Sequence, residues 1–375
     1  MIKVVKIRLK PTKEQEKLMW KSAGCARFTY NWGLAKANED YKNGIKLSIP
    51  NIRRQFNALK KTDEFSWLND VSAQITGQAF QDLKVAFDKF FKGEAKKPQF
   101  KSKRKSKISF YARYDAIKFN GNTVQLEKLG KIKFKYNKEI PQLVKYNNPR
   151  VSFDGMYWYL SLGFKHELPN IELTGESIGI DVGIKDLAII SSMEKPIPNI
   201  NKTAKVRKVT KKLKRLQRQV SKKYELNKQG KKFIKTANTV KLERKIKKVH
   251  RKLHNIRQNH LHQATALIVK TKPSRIVMEN INVTGMMKNK HLSKAILEQS
   301  LTEFKRQIKY KSKFYGIEFV EADRFYPSSK TCSCCGSIKK DLKLSDRIYK
   351  CGECGLIIDR DKNAAINLSQ YKVAE

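Results

Sequence analysis

Apolar residues are interleaved with basic ones over residues 2 to 9 (Ile2, Val4, Ile7, Leu9), a pattern that predicts a short strand. Pro11-Thr12 then leads into Glu14, Gln15, Leu18 and Met19, the pattern of a helix start, and three or four helices are expected to follow. Between Trp67 and Phe91, Val71, Ile75, Phe80, Leu83, Phe87 and Phe90 recur close to helical spacing. From Ile108 to Phe164 the period changes to two. Asn120-Gly121 lies between Ile117/Phe119 and Val124/Leu126, and Asp154-Gly155 between Val151/Phe153 and Tyr157/Tyr159, which are hairpin signals. A small antiparallel β domain is expected here, completed by the N-terminal strand and interrupted by a helical insertion.

A second periodic region follows. Val206, Val209, Leu213, Leu216 and Val220 are three and four apart, as are Leu242, Ile246, Val249, Leu253 and Ile256, while the stretch around Gly230 lacks the pattern. Narrow apolar seams with lysines on every other face predict two helices folding back on each other. Between residues 202 and 252 there are 22 Lys/Arg against two acids. A solvated coiled-coil hairpin satisfies the seam alone; the scarcity of acids favours nucleic-acid contact.

Composition extends that inference to the whole chain. The 375 residues are 40% apolar, enough for two or three folded domains. Lys plus Arg number 81 against 34 acids, a formal charge of +47, for which a polyphosphate is the natural counter-partner. Such charge fixes a partner class without naming an activity, because ribosomal, chromatin-like and membrane-surface proteins share it. Residues 93 to 107 form a further basic run, read as a connector lying on phosphates or as a solvated loop. Met1 to Lys17 lacks a continuous apolar core and no other stretch approaches a membrane span, so an intracellular, soluble, cytoplasmic protein is expected.

Five of the six cysteines fall between Cys332 and Cys354, with Cys25 alone. Cys332-Ser-Cys-Cys335, fifteen intervening residues and Cys351-Gly-Glu-Cys354 form a two-knuckle zinc pattern. Four thiolates from Cys332, Cys335, Cys351 and Cys354 close a tetrahedral site, so a structural Zn²⁺ is expected, with Cys334 a spare thiol. Disulfides are the disfavoured alternative in a chain without a secretion signal.

Three acidic contexts fit one metal site. Ile178-Gly-Ile-Asp181-Val-Gly183 reads as an apolar strand bearing an acid, Arg275-Ile-Val-Met-Glu279 as a second strand ending in one, and Asp359-Arg-Asp361-Lys-Asn-Ala-Ala as the start of a helix. Each acid alone reads better as a strand end or helix cap. Together, hard oxygen ligands from several elements are what Mg²⁺ needs for phosphodiester hydrolysis.

These residues resemble the TnpB (OrfB) family of insertion-sequence proteins, relatives of the compact type V CRISPR effectors, nearly end to end. Lys6-Ile-Arg8-Leu-Lys-Pro11, Ala26-Arg27-Phe-Thr-Tyr30-Asn31, Phe87-Asp-Lys-Phe90-Phe91 with Lys97-Pro98-Gln-Phe100-Lys101, and Tyr326-Pro-Ser-Ser-Lys-Thr-Cys332 look like its motifs. The resemblance implies that Asp181, Glu279 and Asp361 hold the catalytic metals, with Asp359 a supporting acid. It implies an α/β multidomain fold: an RNase H-like (RuvC) nuclease core at 173–330 and 355–375, carrying the basic hairpin 202–256, with a zinc ribbon inserted at 331–354. Before it would come an N-terminal β-barrel wedge, oligonucleotide-binding-like, at 1–12 and 108–172, interrupted by a helical recognition lobe and basic linker at 13–107.

The implied activity is RNA-guided cleavage of double-stranded DNA, with a guide RNA from the transposon end and a short adjacent motif in the target. Base pairing reads the long target while lysines grip phosphates. Gln74, Thr76 and Gln78 are candidates for motif reading, since glutamine pairs bidentately with adenine. Arg27, Lys97, Lys101, Arg215, Arg218 and Arg257 are further candidates for nucleic-acid contact. The chain departs from the family pattern at Asn259, often an aspartate, and at the extra Cys334. A nuclease-inactive RNA-guided repressor is disfavoured by the presence of all three acids. A transposase performing strand transfer is disfavoured because the resemblance assigns transposition to a separate tyrosine enzyme.

Overall fold

The computed structural model describes all residues except 104, 137–138, 142–143, 231, 344 and 373–375. It divides into two compact units, Met1–Glu167 and Leu168–Glu375.

The first unit begins with strand β1 (Ile2–Lys10). Its inward face is carried by Val5, Ile7 and Leu9, while Ile2 and Val4 fall on the other face and are exposed, because strand side chains alternate with period two. Pro11 ends the strand and Thr12 caps α1 (Lys13–Lys42) in a reciprocal box with Gln15. Gln15 Nε2 also donates to the carbonyls of Leu129 and Lys131, at 3.1 and 2.9 Å, tying the helix start to the sheet. Then come α2 (Ile49–Leu59) and α3 (Ala73–Phe91), separated by a 3₁₀ run over Asp63–Asp70. The helical spacing seen from Trp67 therefore becomes a helix only at Ala73, where the Ser72 side chain accepts from the Gln74 amide.

The remaining strands are β2 (Ile108–Tyr111), β3 (Lys118–Asn120), β4 (Thr123–Leu126), β5 (Gly130–Lys135), β6 (Asn147–Phe153) and β7 (Trp158–Lys165). They form an antiparallel sheet of order β2-β6-β7-β1-β5-β4-β3. The first ten residues thus fill its middle, β1 pairing β7 over Ile2–Arg8 and β5 over Arg8–Lys10. Both expected hairpins form, and Gly121 turns the first with a left-handed φ of 53°.

The second unit is built on a mixed sheet of order β10-β9-β8-β13-β14. Strand β8 (Thr174–Val182), β9 (Asp186–Ile190) and β10 (Ile197–Pro198) run antiparallel in sequence. The chain then leaves the sheet as α4 (Ala204–Leu226) and returns as α5 (Ala237–Lys270), with a two-residue strand pair, β11 (Lys228–Gln229) and β12 (Lys232–Phe233), at the tip. The seam is as expected: Val206, Val209, Leu213 and Leu216 meet Val249 and Leu253, flanked by Leu242, Ile246 and Ile256. The second helix does not stop at 256, however. Its apolar period continues through Leu261, Ala264 and Ile268 into the core beneath the sheet.

Strand β13 (Pro273–Glu279) lies parallel to β8. It is followed by α6 (Val283–Met286), α7 (Ser293–Gln299), α8 (Leu301–Tyr315) and β14 (Glu318–Ala322), which pairs parallel to β13. A two-stranded ribbon, β15 (Ile348–Lys350) and β16 (Ile357–Asp359), precedes α9 (Arg360–Ser369). Helix α9 packs on β8 at Gly179, where a Cβ would stand 1.9 Å from the Ala365 carbonyl and 2.4 Å from the Ser369 nitrogen. Only glycine permits that approach. Among the described residues no helix is long and apolar enough to cross a membrane.

Because those neighbours are backbone atoms of a packed helix, Gly179→Ala is expected to destabilise the second unit by about 3 kcal/mol. Urea unfolding monitored by amide exchange in 174–190 measures it; an unchanged midpoint would show that α9 does not sit on β8 as described.

Candidate active site

The register of the parallel pair sets two acids side by side. Met278 pairs Ile180, so the next residues along, Glu279 and Asp181, emerge together at the same end of β13 and β8. Asp361 joins them from the first turn of α9. All three line one cavity of about 510 Å³ in the second unit. Lys330, Lys343, Arg347 and Arg360 line it too, so an acidic floor meets basic walls.

Burial pushes the Asp181 carboxyl well above its ordinary range, and the charges of Glu279 and Asp361 push it further, against a partial pull from Arg360. The other two acids are oriented by neighbours. Ser328 Oγ donates to Glu279 at 2.9 Å, and Arg360 donates to Asp361 Oδ1 through Nε at 3.1 Å and Nη2 at 2.9 Å. Asp359 is spent otherwise: its Oδ1 accepts the amides of Asp361 and Lys362 at 3.0 and 3.1 Å and caps α9. The structure therefore separates the two aspartates of that motif into a cap and a cavity-facing acid.

Chemistry supports a cation here. Three carboxylates converging in a partly dry cavity are stable together only if a proton or a positive ion intervenes. Among the described residues, the only set of three or more His, Cys, Asp or Glu side chains with donor atoms all within 4.8 Å of one another is Cys332, Cys335, Cys351 and Cys354. The acids enclose a wider gap, as suits hard ions that keep waters and take substrate oxygens.

The thiols form the second centre. Cys332 and Cys351 are buried beside the buried Tyr349, while Cys335 and Cys354 are exposed. Sulfur pairs Cys332–Cys354 and Cys335–Cys351 stand 3.6 Å apart, too far for a disulfide and close to the roughly 3.8 Å edge of a thiolate tetrahedron with 2.3 Å metal bonds. The Cys354 amide, followed by the Ser337 hydroxyl, holds the Cys351 thiol down to about 6. Cys334 is exposed and outside the group.

Sequence reasoning missed the residues that join the two centres. Asn363 Nδ2 donates to the Thr331 carbonyl at 2.7 Å and its Oδ1 accepts the Ser333 amide at 2.9 Å. Asn367 Nδ2 reaches the carbonyls of Ser328 and Thr331 at 2.7 Å each. Lys362 Nζ donates to the carbonyls of Ile190, Ser191 and Met193, pinning the start of α9 to the end of β9. Two asparagines four apart beside Ala364 and Ala365 were the available signal, since amides on a closely packed helix face need buried partners.

The nucleic-acid candidates divide. Gln74, Lys97, Arg215 and Arg218 are exposed, and Arg27 lines a small cavity in the first unit. Thr76 is a correction: it is 4% exposed with its hydroxyl bonded to the Ala73 carbonyl, so it does not face a groove. Gln78 donates to Asp82, which Arg150 grips bidentately. Lys101 exchanges two bonds through its backbone with the Asn31 side chain and sets its ammonium 3.5 Å over the Tyr30 ring, so the basic connector is anchored there. Arg257 pairs with Glu298 and Asn201 inside the second unit.

Family models cover much of the chain. One described as a helix-turn-helix domain matches residues 1–46, one described as a probable transposase matches 156–290, and a Cas12f1-like TNB domain matches 302–368. Residues 1–46 here form β1 and a single 30-residue helix rather than two helices about a turn. A candidate RNA-guided DNA endonuclease of Streptomyces pristinaespiralis is 31% identical over 366 residues, covering 97% of this chain and 87% of that protein. Another, InsQ of Escherichia coli, is 28% identical over 386 residues, covering 98% and 91%. Among solved structures, Cas12f1 in complex with single-guide RNA and target DNA has a TM-score of 0.61 at 15% identity over 98% of each chain, a likeness of fold.

A raised acid favours the protonated folded form, so its contribution to stability is present at low pH and is lost as pH rises from the ordinary carboxylate range through the raised folded value. At neutral pH and without divalent ions, Asp181→Asn is therefore expected to melt higher than the parent. Mg²⁺ or Mn²⁺ should raise the parent's Tm and raise the variant's less. Equal metal responses in a thermal-shift titration would remove Asp181 from any ion site.

Proposed function

Given that this chain belongs to the TnpB (OrfB) family, with a relative 31% identical along nearly its whole length, we propose that it is an RNA-guided DNA endonuclease. The observation that carries the reading is the acid-floored, base-walled cavity formed by Asp181, Glu279 and Asp361 in a chain of net charge +47. Asp181, Glu279 and Asp361 would hold Mg²⁺, which when bound activates water and neutralises charge on the leaving oxygen.

The protein's own groups do the rest. Lys330, Lys343 and Arg347 on the cavity wall bind and orient a phosphodiester. Arg360 and Ser328 fix the Asp361 and Glu279 carboxylates. Three antiparallel strands followed by two parallel ones, in the order β10-β9-β8-β13-β14, support an RNase H-like (RuvC) core. The β1-centred sheet supports an oligonucleotide-binding-like wedge at 1–12 and 108–172, with residues 13–107 as the recognition lobe. Pairing in that sheet ends at β2 and β3 among the described residues, so closure into a barrel rests on the resemblance alone. The four thiols support a structural Zn²⁺ in a ribbon at 331–354.

The partners are a guide RNA from the transposon end and double-stranded DNA carrying a short adjacent motif. The exposed lysines of α4 and α5 suit A-form phosphates, which offer shape and charge rather than sequence. Gln74, exposed at the start of α3, and Gln78, half-buried and lining the cavity beside Arg27, remain the motif-reading candidates of their group.

Protein co-expressed with RNA from its own downstream flank should cut a plasmid carrying a randomised motif beside a fixed target. Asp181→Ala, Glu279→Ala and Asp361→Ala should each slow cutting by about 10²-fold or more while leaving guide and target binding intact. Cleavage retained in all three variants sinks the site assignment; target occupancy without nicks in the parent sinks the nuclease reading. Separately, the purified chain should carry a single zinc that Cys351→Ser loses together with the protection of β15 and β16 amides. Metal analysis finding no zinc in the parent would refute the ribbon.

A further inference from the structure

The turn that follows Asp181 is held by side chains from elsewhere in the chain. From the turn after β8 into the first residue of β9, four successive carbonyls, those of Gly183 to Asp186, each receive a side-chain donor. Gln299 Nε2 donates to the carbonyls of Gly183 and Asp186 at 3.1 and 3.2 Å. Asn199 Nδ2 donates to the Ile184 carbonyl at 2.8 Å, and Lys202 Nζ to the Lys185 carbonyl at 2.8 Å. The same turn lines the acid cavity.

Two of these donors, Gln299 and Asn199, are themselves fixed, while Lys202 is exposed. Gln299 is 3% exposed and Asn199 is buried. Asn201 Nδ2 donates to the Glu298 carbonyl at 3.0 Å and lies 3.4 Å from Gln299 Oε1. Asn201 Oδ1 accepts from Arg257 Nε at 2.8 Å, and Arg257 Nη2 pairs with Glu298 at 3.2 Å. Arg257 follows Ile256, the last seam residue of the basic hairpin, so a continuous set of bonds runs from the hairpin root to a point two residues beyond Asp181. Buried amides that donate to a turn's backbone hold that turn, because releasing Gln299 or Asn199 would leave a buried amide donor unpaired.

We propose that Gln299 and Asn199 are positioning residues for DNA cleavage: they lock the Gly183–Asp186 turn and through it the place of the Asp181 carboxyl, with Arg257 and Asn201 bracing the lock from the hairpin root. The inference rests on the nuclease reading above. Displacing a reacting group by about 1 Å costs on the order of 10²-fold in rate. Gln299→Leu, which keeps most of the volume and removes both donors, should therefore cut about tenfold or more slowly at saturating target, with guide and target Kd within about twofold of the parent. Gln299→Glu, isosteric but without the donors, should be no better. Ser274→Ala removes the bond from Ser274 Oγ to the Glu176 carbonyl at the opposite end of β8 and serves as the control for a merely structural loss.

Two readouts separate positioning from folding. Gln299→Leu should need more Mn²⁺ for half-maximal cutting and recover rate as Mn²⁺ rises, whereas Ser274→Ala should follow the parent. In the free protein, amides of residues 183 to 187 should exchange faster in Gln299→Leu, and the Mn²⁺-induced rise in Tm should shrink. The proposal is overturned if Gln299→Leu cuts like the parent, if its loss matches that of Ser274→Ala, or if turn exchange and the Mn²⁺ response are unchanged. If the parent itself does not cut DNA, the nuclease reading fails, while the exchange and thermal-shift measurements still decide the role of the lock.

Discussion

The contact on which the second unit depends is the approach of α9 to β8 at Gly179. A side chain there would overlap the Ala365 carbonyl, so the helix rests directly on strand backbone. Two residues along β8 stands Asp181, and one helical turn before Ala365 stands Asp361, so the distance between those acids is set by this packing rather than by either loop. The same helix presents Asn363 and Asn367 to residues 328–333, the lead-in to the cysteine centre, and Ser328 of that segment donates to Glu279. The geometry of the cysteine centre and that of the acids are therefore two consequences of one seated helix. Its small residues Ala364 and Ala365 are as necessary to that seating as the amides are.

Electrostatics give the site its direction. A chain of +47 gathers three carboxylates at one point, where burial and mutual repulsion raise Asp181. A cluster of acids favours a cation, while the lysines and arginines lining the same cavity favour an anion. Either charge alone repels one of the two partners. With acids on the floor and bases on the walls, one cavity offers each sign of charge its own place.

Much of this was legible because it is local. The β1 alternation, the Asn120-Gly121 and Asp154-Gly155 turns, the α4 and α5 seams and the cysteine spacing all encode structure within a few residues, and each appears where the pattern placed it. Thr76 was legible too, had the period been followed: with Phe80, Leu83 and Phe87 it is spaced four, three and four, which puts it on the buried face of α3. The acids needed more, since three separate motifs had to be joined: their strand, strand, helix contexts in a strongly basic chain suggested one metal site, and the family resemblance then assigned their roles. What local pattern could not supply was the identity of distant partners. Lys101 and Arg257 look like free cations in sequence, and only the fold shows one fixed to Asn31 and Tyr30 and the other to Asn201 and Glu298.

The length of α5 draws these threads together. Its first half is held to α4 by a narrow seam under mutually repelling lysines, an arrangement that gains from any polyanion that neutralises them. Its second half is core, with Leu261, Ala264 and Ile268 beneath the sheet that carries Asp181 and Glu279. An unbroken helix transmits position along its axis far better than a loop does, so the basic surface and the acidic cavity share one rigid element. Arg257 sits near the midpoint of that element, where the seam ends and the core begins. A cation at that position serves the protein better paired inside than offered to solvent, because there it fixes how the hairpin leaves the core.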